Sequence, residues 1–257
     1  MLNKILKKEK ISILVENWVC DLNFKWEWGL SMFIEFDWKN ILWDTWQSDI
    51  FLENAKFMKV DLDKTNFIVL SHFHDDHTWW IKKTDFANNK KILAHPRVFK
   101  EIWDEIKWTY EKIESEKVYE ITKNIFFLWE IERTTDFEKW KYWKDKMLDD
   151  TALVLRTKKW LFIIAGCSHS WIVNICEYAK KVTNENRIYW LVWGFHLLKM
   201  VWNDYSSDKQ IEKTIDYFKE NKIEKLYPMH CVDFEILAKM NQELNIEKLA
   251  TGDVIKI

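Results

Sequence analysis

Three of the seven histidines in this chain of 257 residues fall within six positions, in Ser71-His72-Phe73-His74-Asp75-Asp76-His77-Thr78. The cluster stands directly behind the apolar run Phe67-Ile68-Val69-Leu70. Residues two apart on extended backbone point to the same side, so His72 and His74 can take one metal ion. Asp76 and His77 come a short turn later and can face a second ion close by. Imidazole with carboxylate suits zinc, and also iron or manganese. Further histidines stand behind other apolar runs. His169 follows Leu161–Ala165, His230 follows Lys225–Pro228 and His196 follows Ile188–Val192. Strand ends are where layered sheets place their chemistry, so His169 and His230 are read as ligands. His196 is read as either a ligand or a substrate contact. His95, in Ala94-His95-Pro96, is read as structural or as a pocket wall.

Apolar runs rich in Ile, Val, Leu and Phe predict strands over most of the chain. They lie at Ile11–Val15, Leu30–Phe36, Asn40–Trp43, Phe67–Ser71, Lys91–Ala94, Glu116–Ile121, Ile125–Leu128, Ala152–Thr157, Leu161–Ala165, Ile188–Val192, Lys225–Pro228 and Val254–Ile257. Amphipathic spacing predicts helices at Ser48–Met58, Arg97–Lys107, Ile172–Lys181, Lys209–Asn221 and Phe234–Leu244. Many strands followed by strand–helix alternation argue for layered sheets covered by helices. The charged, aperiodic stretch Thr134–Asp150 reads as a long surface loop, and loops of that length usually carry function. It is expected to lie over the site, with Glu138, Lys139, Lys141, Lys144, Asp145 and Lys146 suiting a polar, anionic substrate.

Other properties exclude function classes. No run approaches the roughly 18 apolar residues of a membrane span. The opening MLNKILKKEK has lysines but no apolar core of a secretory leader. With 39 basic and 41 acidic residues the net charge is −2, which gives no electrostatic case for nucleic acid as a partner. Four cysteines are not a disulfide framework, so a reducing cytoplasm is the expected compartment. No feature settles oligomeric state.

One property is abnormal. Glycine occurs 4 times and tryptophan 18 times, where usual composition would give about 18 glycines. Tryptophan also stands at turns, as in Asp37-Trp38-Lys39-Asn40, Asp44-Thr45-Trp46 and Lys158-Lys159-Trp160. Turns favour glycine, which reaches positive φ at no steric cost. The pattern suggests that UGA codons meaning glycine have been read as tryptophan. Trp38, Trp46, Trp79, Trp80, Trp129, Trp160, Trp171 and Trp193 are the expected glycine positions, exposed or jammed at turns, and Trp28 is the best candidate for a true tryptophan.

The H-x-H-x-D-H segment, preceded by Ile41-Leu42-Trp43-Asp44-Thr45-Trp46, resembles the metallo-β-lactamase superfamily. Glu27-Trp28-Gly29-Leu30-Ser31, Trp129-Glu130-Ile131-Glu132-Arg133, Asp149-Asp150, Gly166-Cys167-Ser168-His169 and Trp193-Gly194-Phe195-His196-Leu197 are similar to one subfamily. That subfamily is labelled 7,8-dihydropterin-6-methyl-4-(β-D-ribofuranosyl)aminobenzene-5′-phosphate synthase, or simply metallo-hydrolase. The resemblance implies a single αββα four-layer sandwich over residues 1–257, with two divalent metals in the cleft between the sheets. Zinc is the first choice, with manganese or iron as alternatives. It implies His72, His74, Asp76, His77, His169 and His230 as ligands. In many relatives a carboxylate bridges the metals. Here that strand end carries Cys167 and His169, so either His169 or Asp150 completes the site. Cys167 and Cys231 are read as thiolate ligands or as small buried residues. Asp44 is read as an acceptor that orients a ligand histidine. Arg133 is read as a contact for substrate phosphate or carboxylate, or as a surface ion pair.

The implied activity is metal-dependent hydrolysis, or transfer at a diphosphate as the subfamily label has it, on a phosphorylated or otherwise anionic small molecule. Asp76 and His77 would be catalytic as well as ligating. The alternatives are a metal-binding or sensing module without turnover, a nucleotide or phosphodiester hydrolase, and a di-iron redox protein.

Overall fold

The structure is a computed structural model that describes residues 9–82, 86, 88–102, 109–138, 145–198 and 206–257. Thirteen strands form two sheets among the described residues. The first comprises β1 (Lys10–Val15), β2 (Ser31–Phe36), β3 (Lys39–Trp43), β4 (Phe67–Val69), β5 (Lys91–Ala94), β6 (Glu111–Glu114) and β13 (Val254–Lys256), in the order β13-β1-β2-β3-β4-β5-β6. The second comprises β7 (Tyr119–Thr122), β8 (Ile125–Phe127), β9 (Ala152–Arg156), β10 (Leu161–Ala165), β11 (Ile188–Gly194) and β12 (Lys225–Met229), ordered β12-β11-β10-β9-β8-β7.

Both faces of the central strands are apolar because both are covered. In β2, Met32, Ile34 and Phe36 join the core between the sheets while Phe33 joins the opposite face. In β10, Phe162 and Ile164 face inward while Leu161, Ile163 and Ala165 face outward. This is the two-residue side-chain period of a strand buried on both sides. On the outer face of the first sheet pack α1 (Ile50–Phe57) and α3 (Pro96–Ile102), through Phe51, Ala55, Val98 and Phe99. On the outer face of the second pack α4 (Ile172–Thr183), α5 (Asp208–Glu220) and α6 (Phe234–Asn241). Helix α5 buries Ile211, Ile215 and Phe218 at helical spacing, and the Ser207 hydroxyl caps it by accepting from the Gln210 N–H. The architecture is the αββα sandwich.

The predicted elements differ from the observed ones in two places. Strand β6 was not expected, and the segment Glu116–Ile121 begins pairing only at Tyr119. A one-turn helix, α2 (Asp75–Thr78), lies inside the histidine cluster. The final residues of the predicted helix Arg97–Lys107 lie outside the described residues.

Tight connections put side chains at positive φ. Asp37 and Trp38 join β2 to β3 with φ 47° and 61°, and Phe36 pairs with Lys39. This is a two-residue hairpin loop with both central φ positive, for which Asp-Gly is a preferred pair. Trp46, Trp129 and Trp171 also have positive φ, at 63°, 65° and 67°. Trp79, at φ −57°, does not, and neither Trp80 nor Trp160 is among the positive-φ residues. The side chain of Trp193 lies outside the described residues. The expectation that these rings would be exposed or jammed holds for Trp38, which is 70% exposed, and fails for Trp46 and Trp171, which are fully buried, and for Trp80, which packs in the core over the first sheet. The Trp46 ring is accommodated because Gly29 lacks a side chain: a Cβ there would lie 1.1 Å from the ring.

Candidate metal centre

The site lies where β4, β10 and β12 end, and the loops that follow them carry its donors. His74 is extended, with φ −57° and ψ 143°, and precedes α2, which presents Asp76 and His77. Cys167 and His169 follow β10, and His230 follows β12 with φ 46°. Two donor clusters result. One contains His72, His74 and His169; the other contains Asp76, His77, Cys167 and His230. In each, one ligand atom per residue lies within 4.8 Å of the rest. The clusters adjoin, with the rings of His72 and His77 only 4.2 Å apart.

Hydrogen bonds fix which nitrogen each ring presents. The His77 Nδ1–H donates to Asp44 Oδ2 at 2.7 Å. The Ser71 hydroxyl donates to the same oxygen at 2.8 Å and accepts from the His72 Nδ1–H at 2.8 Å. The Ser71 N–H donates to Asp44 Oδ1 at 2.7 Å. His230 Nδ1 faces Asn17 Oδ1 at 3.1 Å, and its backbone N–H donates to Glu16 Oε1 at 2.7 Å. All three rings therefore turn Nε2 toward the clusters. Orientation of a ligand imidazole through its other nitrogen is the usual support for a metal ligand. His72 Nε2 is buried with no hydrogen-bond partner among the described residues, an arrangement that a cation would complete. The donor sets, three imidazoles in one cluster and carboxylate, imidazoles and thiol in the other, fit divalent transition metals.

Gly166 permits this packing. A Cβ there would lie 2.4 Å from Ser71 Oγ and 3.2 Å from His72 Nδ1, so the end of β10 can touch the metal-binding loop only without a side chain.

The two clusters differ electrostatically. Burial and neighbouring imidazoles hold His72 and His169 well below the usual histidine range, and burial lowers His74 to about 4. These rings are neutral, the form that binds metal. In the second cluster burial opposes charge, yet His77 holds Asp76 well below the usual carboxylate range, with help from His230. Against the same penalty, Asp76 and Asp44 raise His77. Cys231 and Asp76 hold His230 up to about 10. A cation entering this cluster would displace those protons.

The other sequence-predicted residues lie around this centre. Asp44 orients His77 directly and His72 through Ser71. The His196 ring lies 4.4 Å from that of His169, tilted by 57°, without belonging to either cluster. Asp150 also stands outside the clusters. Its Oδ2 accepts from the Ser170 N–H at 2.8 Å and braces the turn that carries His169, and burial raises it to about 6. Arg133 donates to the carbonyls of Lys146 and Met147, closing the base of the long loop. His95 stacks on Trp129 and faces Glu130 at 3.4 Å.

The loop 134–150 reaches the centre through its C-terminal end. Asp149 accepts from the Phe73 N–H at 2.9 Å, and the Thr151 N–H donates to the Ser71 carbonyl at 3.2 Å. Asp145 pairs with Arg97. Residues 139–144, including Lys139, Lys141 and Lys144, lie outside the described residues. Glu138, expected as a solvent-facing loop charge, is instead buried and accepts from the Val173 and Asn174 N–H groups at the start of α4. Ser71, Asn17 and Glu16 were missed by sequence reasoning. For Cys167 the signal was present in Gly166-Cys167-Ser168-His169.

Two outcomes follow from these contacts. Asp44→Asn should weaken metal binding by about 10- to 100-fold, read by competition with a chromophoric chelator, because a carboxylate supporting ligand rings is lost. Burial raises the Glu138 carboxyl to about 7, so its proton is held more tightly in the folded protein than in the unfolded chain. The stabilisation this gives is complete below about pH 4.5 and disappears as pH rises through about 7. Glu138→Gln should therefore remove a pH-dependent loss on the order of 3 kcal/mol, measured by denaturant unfolding at pH 4.5 and 8.

Two packed sheets covered by helices, with two clusters of nitrogen, oxygen and sulfur donors behind their strand ends, match the fold of metal-dependent hydrolases. The chain belongs to the metallo-beta-lactamase superfamily, whose sequence model matches residues 29–146. It is 31% identical to an uncharacterized protein of Methanocaldococcus jannaschii, over 96% of this chain and 100% of that protein. It is 28% identical to the 7,8-dihydropterin-6-methyl-4-(beta-D-ribofuranosyl)-aminobenzene-5′-phosphate synthase of the same organism, over 89% of each chain. Among solved structures it is similar to Tm1679, a metal-dependent hydrolase of the beta-lactamase superfamily, with a TM-score of 0.79, 26% identity and coverage of 97% of this chain and 99% of that one. No helix among the described residues is long and apolar enough to cross a membrane.

Proposed function

We propose that this protein is a two-metal hydrolase, with zinc as the preferred ion, acting on a phosphorylated or otherwise anionic small molecule. The carrying observation is the adjacency of two donor clusters of different composition at the ends of the same strands. A sulfur donor among imidazoles favours zinc over harder cations. When bound, the ions would acidify water and polarise a phosphoryl or carbonyl oxygen. The chain's own groups supply orientation. Asp44 and Ser71 fix the rings of His72 and His77, and Asn17 fixes that of His230. Asp76, held ionised, accepts a hydrogen bond at Oδ2 from His230 Nε2 at 3.2 Å. His196 would contact substrate, a role supported by its ring lying beside that of His169. Arg133 acts through the loop base that it closes.

The 5′-phosphate in the name of the synthase relative supports a phosphorylated substrate, and makes transfer to an arylamine a second reading on the same residues. Purified protein should bind two equivalents of zinc and cleave members of a panel of phosphodiesters, diphosphates and lactones. Stoichiometric metal with no turnover across the panel, with or without an arylamine acceptor, would support a sensing module instead.

The tryptophans at positions 38, 46, 129 and 171 are further proposed to stand at UGA codons meaning glycine. What supports this is their positive φ and the Asp-Gly preference of the hairpin loop that Trp38 occupies.

A further inference from the structure

Cys231 has no part in either donor cluster, yet its sulfur lies 3.3 Å from that of Cys167. Cys167 Sγ in turn lies 3.1 Å from His77 Nε2, the nitrogen that His77 turns toward the second cluster. The two cysteines are 64 residues apart, on the loops that follow β10 and β12. The end of β11 holds these loops together. The Gly194 N–H donates to the Gly166 carbonyl at 2.9 Å, and a Cβ at Gly194 would lie 3.1 Å from both the Gly166 oxygen and the Cys231 nitrogen. The sulfurs are in van der Waals contact, and a disulfide would bring them to roughly 2.05 Å. The remaining cysteines are placed differently. Cys20 is exposed, and Cys176 lies in α4, packed against the outer face of the second sheet.

We propose that Cys167 and Cys231 are a modification site, a dithiol that hydrogen peroxide converts to a disulfide, and that this bond locks the second metal cluster. The lock rests on reading that cluster as a metal site. In the first step one thiol sulfur attacks the peroxide; an S–O bond forms, the O–O bond breaks and water leaves. In the second step the other sulfur attacks the sulfenic acid; the S–S bond forms, the S–O bond breaks and a second water leaves. The pair loses two electrons and two protons, and the peroxide is reduced to water. Cys167 Sγ is then no longer available beside His77 Nε2, and the cluster retains Asp76, His77 and His230 alone. A bound ion held by that sulfur protects the pair, so metal loading and oxidation oppose each other. Thiol reductant reverses the bond.

The test uses chelator-stripped full-length protein treated with hydrogen peroxide, followed by intact mass, peptide mapping and thiol titration. The expected result is the loss of two hydrogens, a disulfide peptide joining Cys167 to Cys231, and a fall from four titratable thiols to two in denaturant. Competition with a chromophoric chelator should show one zinc equivalent bound more weakly in the oxidised protein, where three donors remain of four, with full affinity restored by dithiothreitol. Zinc-loaded protein should resist the same treatment. Cys231→Ser, which leaves every member of both donor clusters in place, should show no mass loss and full loading after peroxide and reductant. Four thiols remaining after peroxide, or a disulfide that leaves zinc affinity unchanged, would overturn the lock. Failure of unoxidised protein to take up zinc would overturn the two-metal reading itself, while the mapped disulfide would still report separately on the cysteine pair.

Discussion

Replacing His72 by alanine is expected to remove one equivalent of bound metal and to lower turnover by at least about a hundredfold. His72 is fully buried and turns Nε2 into the three-histidine cluster, while Ser71 holds its Nδ1. The alanine variant leaves only His74 and His169 in that cluster, too few donors to hold a divalent ion tightly. Stability of the metal-free protein should change less, because a neutral ring held well below its usual titration range carries no ion pair. Elemental analysis with denaturant unfolding in chelator separates the two effects. Unchanged metal content would refute the assignment of the cluster.

The second large effect concerns the tryptophans at positive φ. Relieving left-handed backbone of a side chain is worth about 1–2 kcal/mol per site. Trp38→Gly and Trp129→Gly together should therefore raise stability by about 2–4 kcal/mol, since Trp38 is exposed and Trp129 half-buried. Trp46 and Trp171 are the decisive pair. Both rings are fully buried, and truncating an ordinary core tryptophan costs about 3–5 kcal/mol. Trp171, at φ 67° and ψ 141°, lies near a region that essentially only glycine enters. If glycine is the encoded residue, the protein with glycine at all four positions should be more stable, more soluble and fully able to bind metal. A net loss of stability at positions 46 and 171, or UGG at these codons, would end the recoding account.

The sandwich was legible because its strands are buried on both faces and read as nearly continuous apolar runs, as in Leu161–Ala165 and Ile11–Val15. Strand β6 was not, because Glu-Lys-Ile-Glu pairs only with β5 at a sheet edge and its conformation comes from that neighbour. The one-turn helix α2 is too short to show a period. The histidines were visible from their place behind apolar runs, and Asp44 from the strand end that carries it. Their supports were less visible. Asn17 lies 213 residues from the His230 that it orients, a separation no local pattern can bridge. Glu138 reads as one charge among many, because its burial depends on the N–H groups at the start of α4, which only the assembled fold aims at it.

Asp44 contacts a ligand of each cluster, His77 directly and His72 through the Ser71 hydroxyl. The clusters therefore share one anchor and are not thermodynamically independent. An ion that fixes His77 also fixes the carboxylate on which the Ser71–His72 arm depends, and the reverse holds with the same free energy. Loading of the two clusters by two ions would thus be coupled. The midpoint of a metal titration reports the pair of clusters together, and a substitution confined to one of them is felt in the apparent affinity of the other.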